Sequence, residues 1–455
     1  MSELGVLLAV LASASAGVCV GFGGGLVPGL HMNNIAAALT AYAGAALAFF
    51  GAMSDVLGSD SPGLMICCFV SSALVAHMFA ESVTSTYLGI PAGDVVSVLP
   101  AHRLARAGLG RIAVNSSADG SLSGVLLTVV LFPPVCLLMG HPIQLYSLMH
   151  EVMGFLIIVF SGVMLLSDGP SIPRVTKATA LFLTSGVLGS VVLMSNFHAS
   201  SLPDVPWIHE PYVQKSSLLL PLFAGLFGIP SLLMSYGSRD VFDIRSEDQR
   251  DVSIKPGPKD YARSLLGGAV VGWLPGMTSG ASATLCAPRV RELDGDDDIE
   301  SSARFIWLYS FVSASGAVFA VGALFVILRA RSGSMDAVQF FLGDTLVAGD
   351  LRQDLLPLAS LLLSMLVSAC VSRFVLRVID SKLMNLHRLL CSRRVAVISM
   401  LFVCSLSVAL TGVRGMIVLS AAVCLGLLPM RIGVRRIQLM GCLLVPITIG
   451  FFSRT

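Results

Sequence analysis

Two stretches of this chain place glycine, proline and small polar residues inside apolar surroundings. The first reads Gly21-Phe22-Gly23-Gly24-Gly25-Leu26-Val27-Pro28-Gly29-Leu30-His31-Met32-Asn33-Asn34. The second reads Gly267-Gly268-Ala269-Val270-Val271-Gly272-Trp273-Leu274-Pro275-Gly276-Met277-Thr278-Ser279-Gly280. Proline cannot donate to a helix ladder and glycine accepts backbone angles other residues avoid, so Pro28-Gly29 and Pro275-Gly276 each predict a broken helix. In lipid the backbone groups freed by a break have no water to bond, and a break survives only where protein buries it or a cavity receives it. A helix restarting after the break aims free N–H groups and a positive dipole end at an anion. After the first break Asn33 or Asn34 would cap that helix, and His31 would add a donor or a proton. After the second, Thr278, Ser279 and Ser282 supply hydroxyls. Tight turns or close small-residue packing would use the same residue types; the recurrence of the motif favours a site.

A third candidate is Glu81-Ser82-Val83-Thr84-Ser85-Thr86-Tyr87-Leu88-Gly89-Ile90-Pro91-Ala92-Gly93-Asp94. Glu81 directly follows the apolar run 64–80, and a carboxylate inside a membrane is expensive enough to suggest ion or proton coupling; at the interface it would need no such role. Ser85 and Thr86 lead into Ile90-Pro91, which predicts a further hairpin rich in hydroxyls and free backbone groups. His77, His141, His150, Glu151 and Arg414 read as interfacial groups. No metal-ligand cluster, ATPase-type phosphate loop or Ser/His/Asp group stands at meaningful spacing, so no catalytic set and no cofactor is implied.

These residues must be positioned by helices. Of 455 residues, 55% are hydrophobic and 12% charged, and the mean hydropathy is +0.85; a globular chain carries about twice that charged share. Apolar runs at 122–140, 143–166, 178–194, 305–328, 355–371, 395–410 and 437–452 approach or exceed the roughly 20 residues that span a bilayer. The expected fold is an all-α polytopic membrane protein of about ten to twelve segments, some broken or re-entrant. The net charge of +2 gives no reason to expect nucleic acid. Lys and Arg instead cluster around 103–111, 239–263 and 373–394, which the positive-inside rule makes cytoplasmic, whereas 53–63 and 196–214 lack them and read as external. The acidic run Asp296-Asp297-Asp298 leaves its own side open. The cysteines, ten in all, have no metal or redox spacing and read as small hydrophobes in helix packing. Met1-Ser2-Glu3-Leu4 lacks the basic start of a signal peptide, so the first apolar run reads as a retained helix.

The hydrophilic stretch 235–261 divides the chain into a first membrane repeat, 1–236, a cytoplasmic linker, 237–260, and a second repeat, 261–455. Each half opens with a Gly-rich helix and a Pro-Gly break. Gly225-Leu226-Phe227-Gly228-Ile229-Pro230 and Cys424-Leu425-Gly426-Leu427-Leu428-Pro429 give the halves weakly matching ends. Paired breaks in repeated halves point to a transporter, with the repeats read as inverted.

Ser85-Thr86-Tyr87-Leu88-Gly89-Ile90-Pro91 with Asp94, followed by Ala105-Arg106-Ala107-Gly108, resembles the Ser/Thr-rich segment and basic loop of the large membrane subunit of the tripartite tricarboxylate transporter family, TctA. Gly25 to Leu30 and Gly272 to Gly276 resemble that family's two Pro-Gly motifs. His31, Asn33 and Ala36-Ala37, and Arg329-Ala330-Arg331-Ser332-Gly333-Ser334-Met335, are nearer its divergent archaeal-type members. The second half departs from the bacterial carboxylate carriers, with Val312-Ser313-Ala314-Ser315-Gly316-Ala317 where an Asn-rich stretch would stand and without a second Ile-Pro-Gly hairpin. No residue here speaks for or against the extracytoplasmic binding protein and small membrane subunit that the resemblance implies.

The expectation is a multi-pass plasma-membrane secondary transporter of an organic anion such as a carboxylate, driven by a proton or sodium gradient. Substrate would sit near the midplane on Gly29, His31, Asn33, Asn34, Ser85, Thr86, Gly276, Thr278, Ser279 and Ser282. Pro28, Pro91 and Pro275 would break the helices and Glu81 would couple the ion. A polyprenyl-phosphate or other lipid-phosphate carrier would use the same dipole ends, and an intramembrane enzyme is the remaining alternative. The chain could assemble as a homo-oligomer.

Overall fold

The computed structural model describes residues 3–27, 30–88, 98–166, 171–194, 218–237, 254–286, 297–343, 355–380 and 393–453. Among them there is helix and no strand. In chain order the helices are α1 (Glu3–Gly25), α2 (Met32–Ala41), α3 (Ala43–Leu57), α4 (Pro62–Leu88), α5 (Val98–Arg106) and α6 (Gly110–Met139). Next come α7 (Leu145–Glu151), α8 (Met153–Leu166), α9 (Ile172–Met194), and α10 (Leu219–Phe223), which runs through a π segment, Ala224–Gly228, into α11 (Ile229–Gly237). The rest are α12 (Pro258–Trp273), α13 (Ser279–Cys286), α14 (Asp297–Ile327), α15 (Gly333–Leu342), α16 (Leu355–Ile379), α17 (Arg393–Ile432), a 3-10 turn Arg436–Met440, and α18 (Gly441–Phe452).

Seven of the described helices are long and apolar enough to cross a membrane, and nine if the bent pairs α2–α3 and α7–α8 each count as one span. Leu219–Leu233 and Arg436–Phe452 are shorter apolar helices. Phe155, Val159, Val187, Phe374, Ile398, Leu401 and Ile417 lie mostly exposed. Water would make that arrangement unfavourable, whereas acyl chains accept it. The protein is therefore a multi-pass membrane protein, as composition predicts.

Glycines decide which helices touch. On α1, Gly17, Gly21 and Gly25 recur every four residues and bring its backbone against α4: a Cβ on Gly21 would stand 2.2 Å from the Ala73 carbonyl oxygen, and one on Gly25 2.6 Å from that of His77. On α12, Gly268 and Gly272 do the same against Ser315 and Phe319 of α14. Both pairs are parallel, since the partner number rises with the glycine number. Such contact replaces the missing hydrophobic drive between helices in lipid.

Both breaks then turn the chain. Gly25 stands beside Glu81, seven residues, or about 10 Å, before the end of α4. Beyond the break, α2 and α3 are bent by 90°, and Phe50 of α3 packs on Phe69 near the start of α4. At the second break Gly276 adopts φ +75°, a left-handed angle natural to glycine, and α13 folds back so that Ser282 Oγ donates to the Gly267 carbonyl (2.8 Å). Both Gly-rich helices thus lead into turned segments at matching depths, beside Glu81 of α4 and Phe319 of α14. Pro28, Gly29 and Pro91 lie outside the described residues.

Two cores result. One joins α1 to α6 with α14, α15 and α16; the other joins α8, α9 and α10 with α13, α17 and α18. Each draws helices from both sides of the 237–260 segment. The weakly matching ends meet directly: a Cβ on Gly225 would stand 2.7 Å from the Leu419 carbonyl, and one on Gly426 2.5 Å from that of Leu226. In α17, Gly412 (φ +62°) breaks the helical path where Thr411 to Gly415 reads as a turn in the sequence.

The basic clusters gather at one end. Ala101 and Leu104 of α5 pack with Ala303 and Ile306 of α14 and with Ile254. Arg111 at the start of α6 is paired with Asp380 after α16. The start of α14, and with it Asp297, falls at this basic end, the point the sequence leaves open. A polar ladder continues inward: Asn115 Nδ2 donates to Asp380 (3.1 Å), and Arg373 donates to Asp119 (2.7 Å) and Asn115 (3.0 Å).

Candidate functional site

A polar cleft opens among α4, α5, α6 and α14. Its lining falls in helical stripes: Met78, Glu81, Ser82, Ser85 and Thr86 on α4, Ala101 on α5, Ser117 and Ser121 on α6, and Ile306, Tyr309, Ser310 and Ser313 on α14. The spacing i, i+3, i+4, i+7 on α4 and α14 turns one face of each helix to the cleft. These stripes belong to candidate spans Pro62–Tyr87, Gly110–Met139 and Ile299–Ile327. The cleft holds about 50 Å³, room for a few waters.

The hydroxyls are tied to the helices that carry them. Ser82 Oγ donates to the Phe79 carbonyl (2.7 Å) and Ser85 Oγ to that of Ser82 (3.2 Å). Ser117 and Ser310 bond each other at 2.8 Å, joining α6 to α14 across the cleft. Thr84 Oγ1 shares its proton between the Glu81 carbonyl of its own helix (3.0 Å) and the Gly25 carbonyl (3.2 Å) at the broken end of α1. His102 Nδ1 lies 3.1 Å from the Thr86 carbonyl and holds α5 to the end of α4.

Behind the cleft wall stands a second group. His77, one turn before Glu81, is 2% exposed, and its Nε2 is 3.8 Å from Glu81 Oε2. The ring is sealed against the backbone of α1 at Gly21. The His31 ring is 5.8 Å away, centroid to centroid. His31 is the N-cap of α2, and its Nδ1 accepts from the Asn33 N–H (3.2 Å). Asn33 faces the other half of the chain, where its Oδ1 accepts from the N–H and hydroxyl of Ser334 (both 3.2 Å). The first turns of α2 and α15 therefore meet.

The residues expected at one site thus occupy three places. Glu81, Ser85 and Thr86 share the cleft wall, and His31 reaches them through His77. Asn33, with buried Asn34 next to it, lies at the junction with α15. Gly276, Thr278, Ser279 and Ser282 form the second hairpin and do not line the cleft: Thr278 Oγ1 accepts from the Ala281 N–H (3.2 Å) as the cap of α13, and a Cβ on Gly276 would meet Leu444 of α18. Sequence reasoning missed Ser117, Ser121, Tyr309, Ser310 and Ser313, while Ser82 lies within the third candidate stretch. A search for hydroxyls three or four residues apart within apolar runs would have found Tyr309, Ser310 and Ser313.

No group of three or more His, Cys, Asp or Glu stands close enough to hold a metal ion among the described residues. The sequence profile of the tripartite tricarboxylate transporter TctA family matches residues 11–441. An uncharacterised protein of Methanocaldococcus jannaschii is 24% identical over 447 residues, covering 96% of this chain and 98% of its own length. No solved structure matches the chain.

Proposed function

The chain belongs to the tripartite tricarboxylate transporter TctA family, and from that premise we propose that it is a secondary transporter of a carboxylate-type organic anion, driven by an ion gradient. The observation that carries the reading is the hydroxyl-lined cleft with Glu81 on its wall, inside three apolar helices. Lipid tolerates such a surface only where water or a polar solute occupies it. Ser85, Thr86, Ser310 and Ser313 offer hydroxyls to the anion, and Glu81 holds the coupling cation. The mirrored hairpins support a chain of two inverted, interleaved repeats: α1 on α4 answers α12 on α14, each pair ending at a break. Parting α4 from the pair α6 and α14, which Gly120 and Gly124 hold backbone to backbone, would widen the cleft and change the side to which it opens.

The test is uptake of labelled citrate and succinate by the purified chain in liposomes under imposed proton or sodium gradients. Wild type accumulates at least one of the two, and Ser85→Trp, which fills the cleft, abolishes uptake at an unchanged unfolding temperature. Uptake by the chain alone would also show that it needs no binding protein. Movement of a polyprenyl phosphate between leaflets, without carboxylate uptake, would overturn the proposal in favour of a lipid-phosphate carrier.

A further inference from the structure

We infer that His77 and Glu81 form the proton site of a proton–anion symporter, loaded before the anion enters. The inference rests on the transport reading above and names the coupling ion. Glu81 faces the cleft, so an ionised Glu81 repels an arriving carboxylate. A unit charge about 6 Å away lowers affinity roughly a hundredfold at an effective dielectric near 20. One proton removes that charge whichever residue holds it, because a neutral Glu81 beside a neutral His77 and a carboxylate beside an imidazolium both sum to zero. The 3.8 Å separation allows the proton to pass between Oε2 and Nε2 with a small rotamer change.

The second observation is His77 itself. An imidazole 2% exposed, held by the Gly21 backbone and 3.8 Å from a carboxylate, is costly to bury, and a packing role would be filled better by leucine or phenylalanine. Its position behind the wall lets a proton leave the cleft without leaving the membrane interior.

Among the described residues, the other titratable groups around His77 are placed as follows. Gly21, Gly24 and Gly25 of α1 bring no charge to the ring. His31 is the facing group from α2, and its imidazole would oppose a second proton. Among groups on the other helices packed on α4, His102 of α5 is bound to the Thr86 carbonyl, and Asp119 of α6 and Arg373 of α16 are paired with each other. Asp55 lies in the last turn of α3 and Asp336 in the first turn of α15. From α14, Tyr309 lines the same cleft, while Arg304 pairs with Asp260 of α12.

The test uses liposomes with a pH dye in the lumen, given labelled citrate and succinate under an inward proton gradient, an inward sodium gradient, or neither. The proton gradient is expected to drive accumulation, with acidification of the lumen in step. His77→Gln, which leaves Glu81 to hold the proton alone, is expected to lower both, up to the roughly hundredfold limit set by an ionised Glu81. In Glu81→Gln, which mimics the protonated acid, anion binding is expected to lose its pH dependence. Accumulation driven by sodium alone, or undiminished proton-driven accumulation in His77→Gln, overturns the proton site. If neither carboxylate moves under any gradient, the transport reading fails, and the proton site is judged by infrared difference spectra between about pH 5 and pH 8. The Glu81 carboxyl band, identified by its loss in Glu81→Gln, must then shift in His77→Gln; a band indifferent to His77 overturns the pairing.

Discussion

Alanine at Gly21 and at Gly23 should have opposite effects, although the two positions lie two residues apart on α1. A Cβ on Gly21 would stand 2.2 Å from the Ala73 carbonyl oxygen and 2.6 Å from its Cα, whereas one on Gly23 would meet nothing within 4 Å. The atoms opposing Gly21 are backbone, so no side chain can rotate away, and α1 must lift from α4 by about 1 Å to restore ordinary contact. Overpacking of this kind costs about 1–3 kcal/mol. At Gly23 the substitution only removes glycine's excess freedom in the unfolded chain and improves helix propensity, a gain of about 0.5–1 kcal/mol. The same gain applies at Gly21 and cancels in the comparison, so the two variants should differ by the overpacking cost, about 1–3 kcal/mol, with Gly23→Ala at or above wild type. Thermal unfolding in mild detergent and denaturation in mixed SDS micelles both read the order. Gly21→Ala as stable as Gly23→Ala would refute the direct backbone contact between α1 and α4.

Further outcomes follow from single contacts. Thr84→Val should cost about 1 kcal/mol by removing the hydroxyl shared between the Glu81 and Gly25 carbonyls, while Thr84→Ser keeps it and stays near wild type in thermal unfolding. A double-mutant cycle with Ser117→Ala and Ser310→Ala should give a coupling of about 1 kcal/mol; additive losses would mean the hydroxyls do not meet. Arg373→Ala should lower stability by about 1–2 kcal/mol, discounted from a buried pair because Asp119 is 51% exposed. Unfolding of Arg373→Ala at the wild-type temperature would count against the ladder between α6 and α16.

Much of the fold was legible because the forces that set it are local in sequence. Leu274-Pro275-Gly276 announces its break through residue types that cannot continue a helix, and the left-handed Gly276 bears this out. Thr411 to Gly415 likewise reads as a turn, and Gly412 leaves the helical path there. The site was legible on one wall only. Glu81, Ser85 and Thr86 stand out against the apolar run before them, whereas Ser117 and Ser310 are common small residues whose meaning lies in a contact across 193 positions. His77 looked interfacial because its number says nothing of the glycines that seal it. Asn33 was expected to face substrate or cap its own helix, and it instead accepts from Ser334, a partner no local pattern could name.

The four-residue recurrence of Gly17, Gly21 and Gly25 has a mechanical consequence. Backbones that touch without intervening side chains mesh like a toothed rack, and a slip of α1 along α4 by less than one tooth drives a Cα into a carbonyl. The pair can travel or tilt only as one stiff beam. The His31 end of the broken helix and the Glu81 face of the cleft then keep their spacing while the surroundings move, so their chemistry is carried along with the stroke and not rebuilt at each end of it.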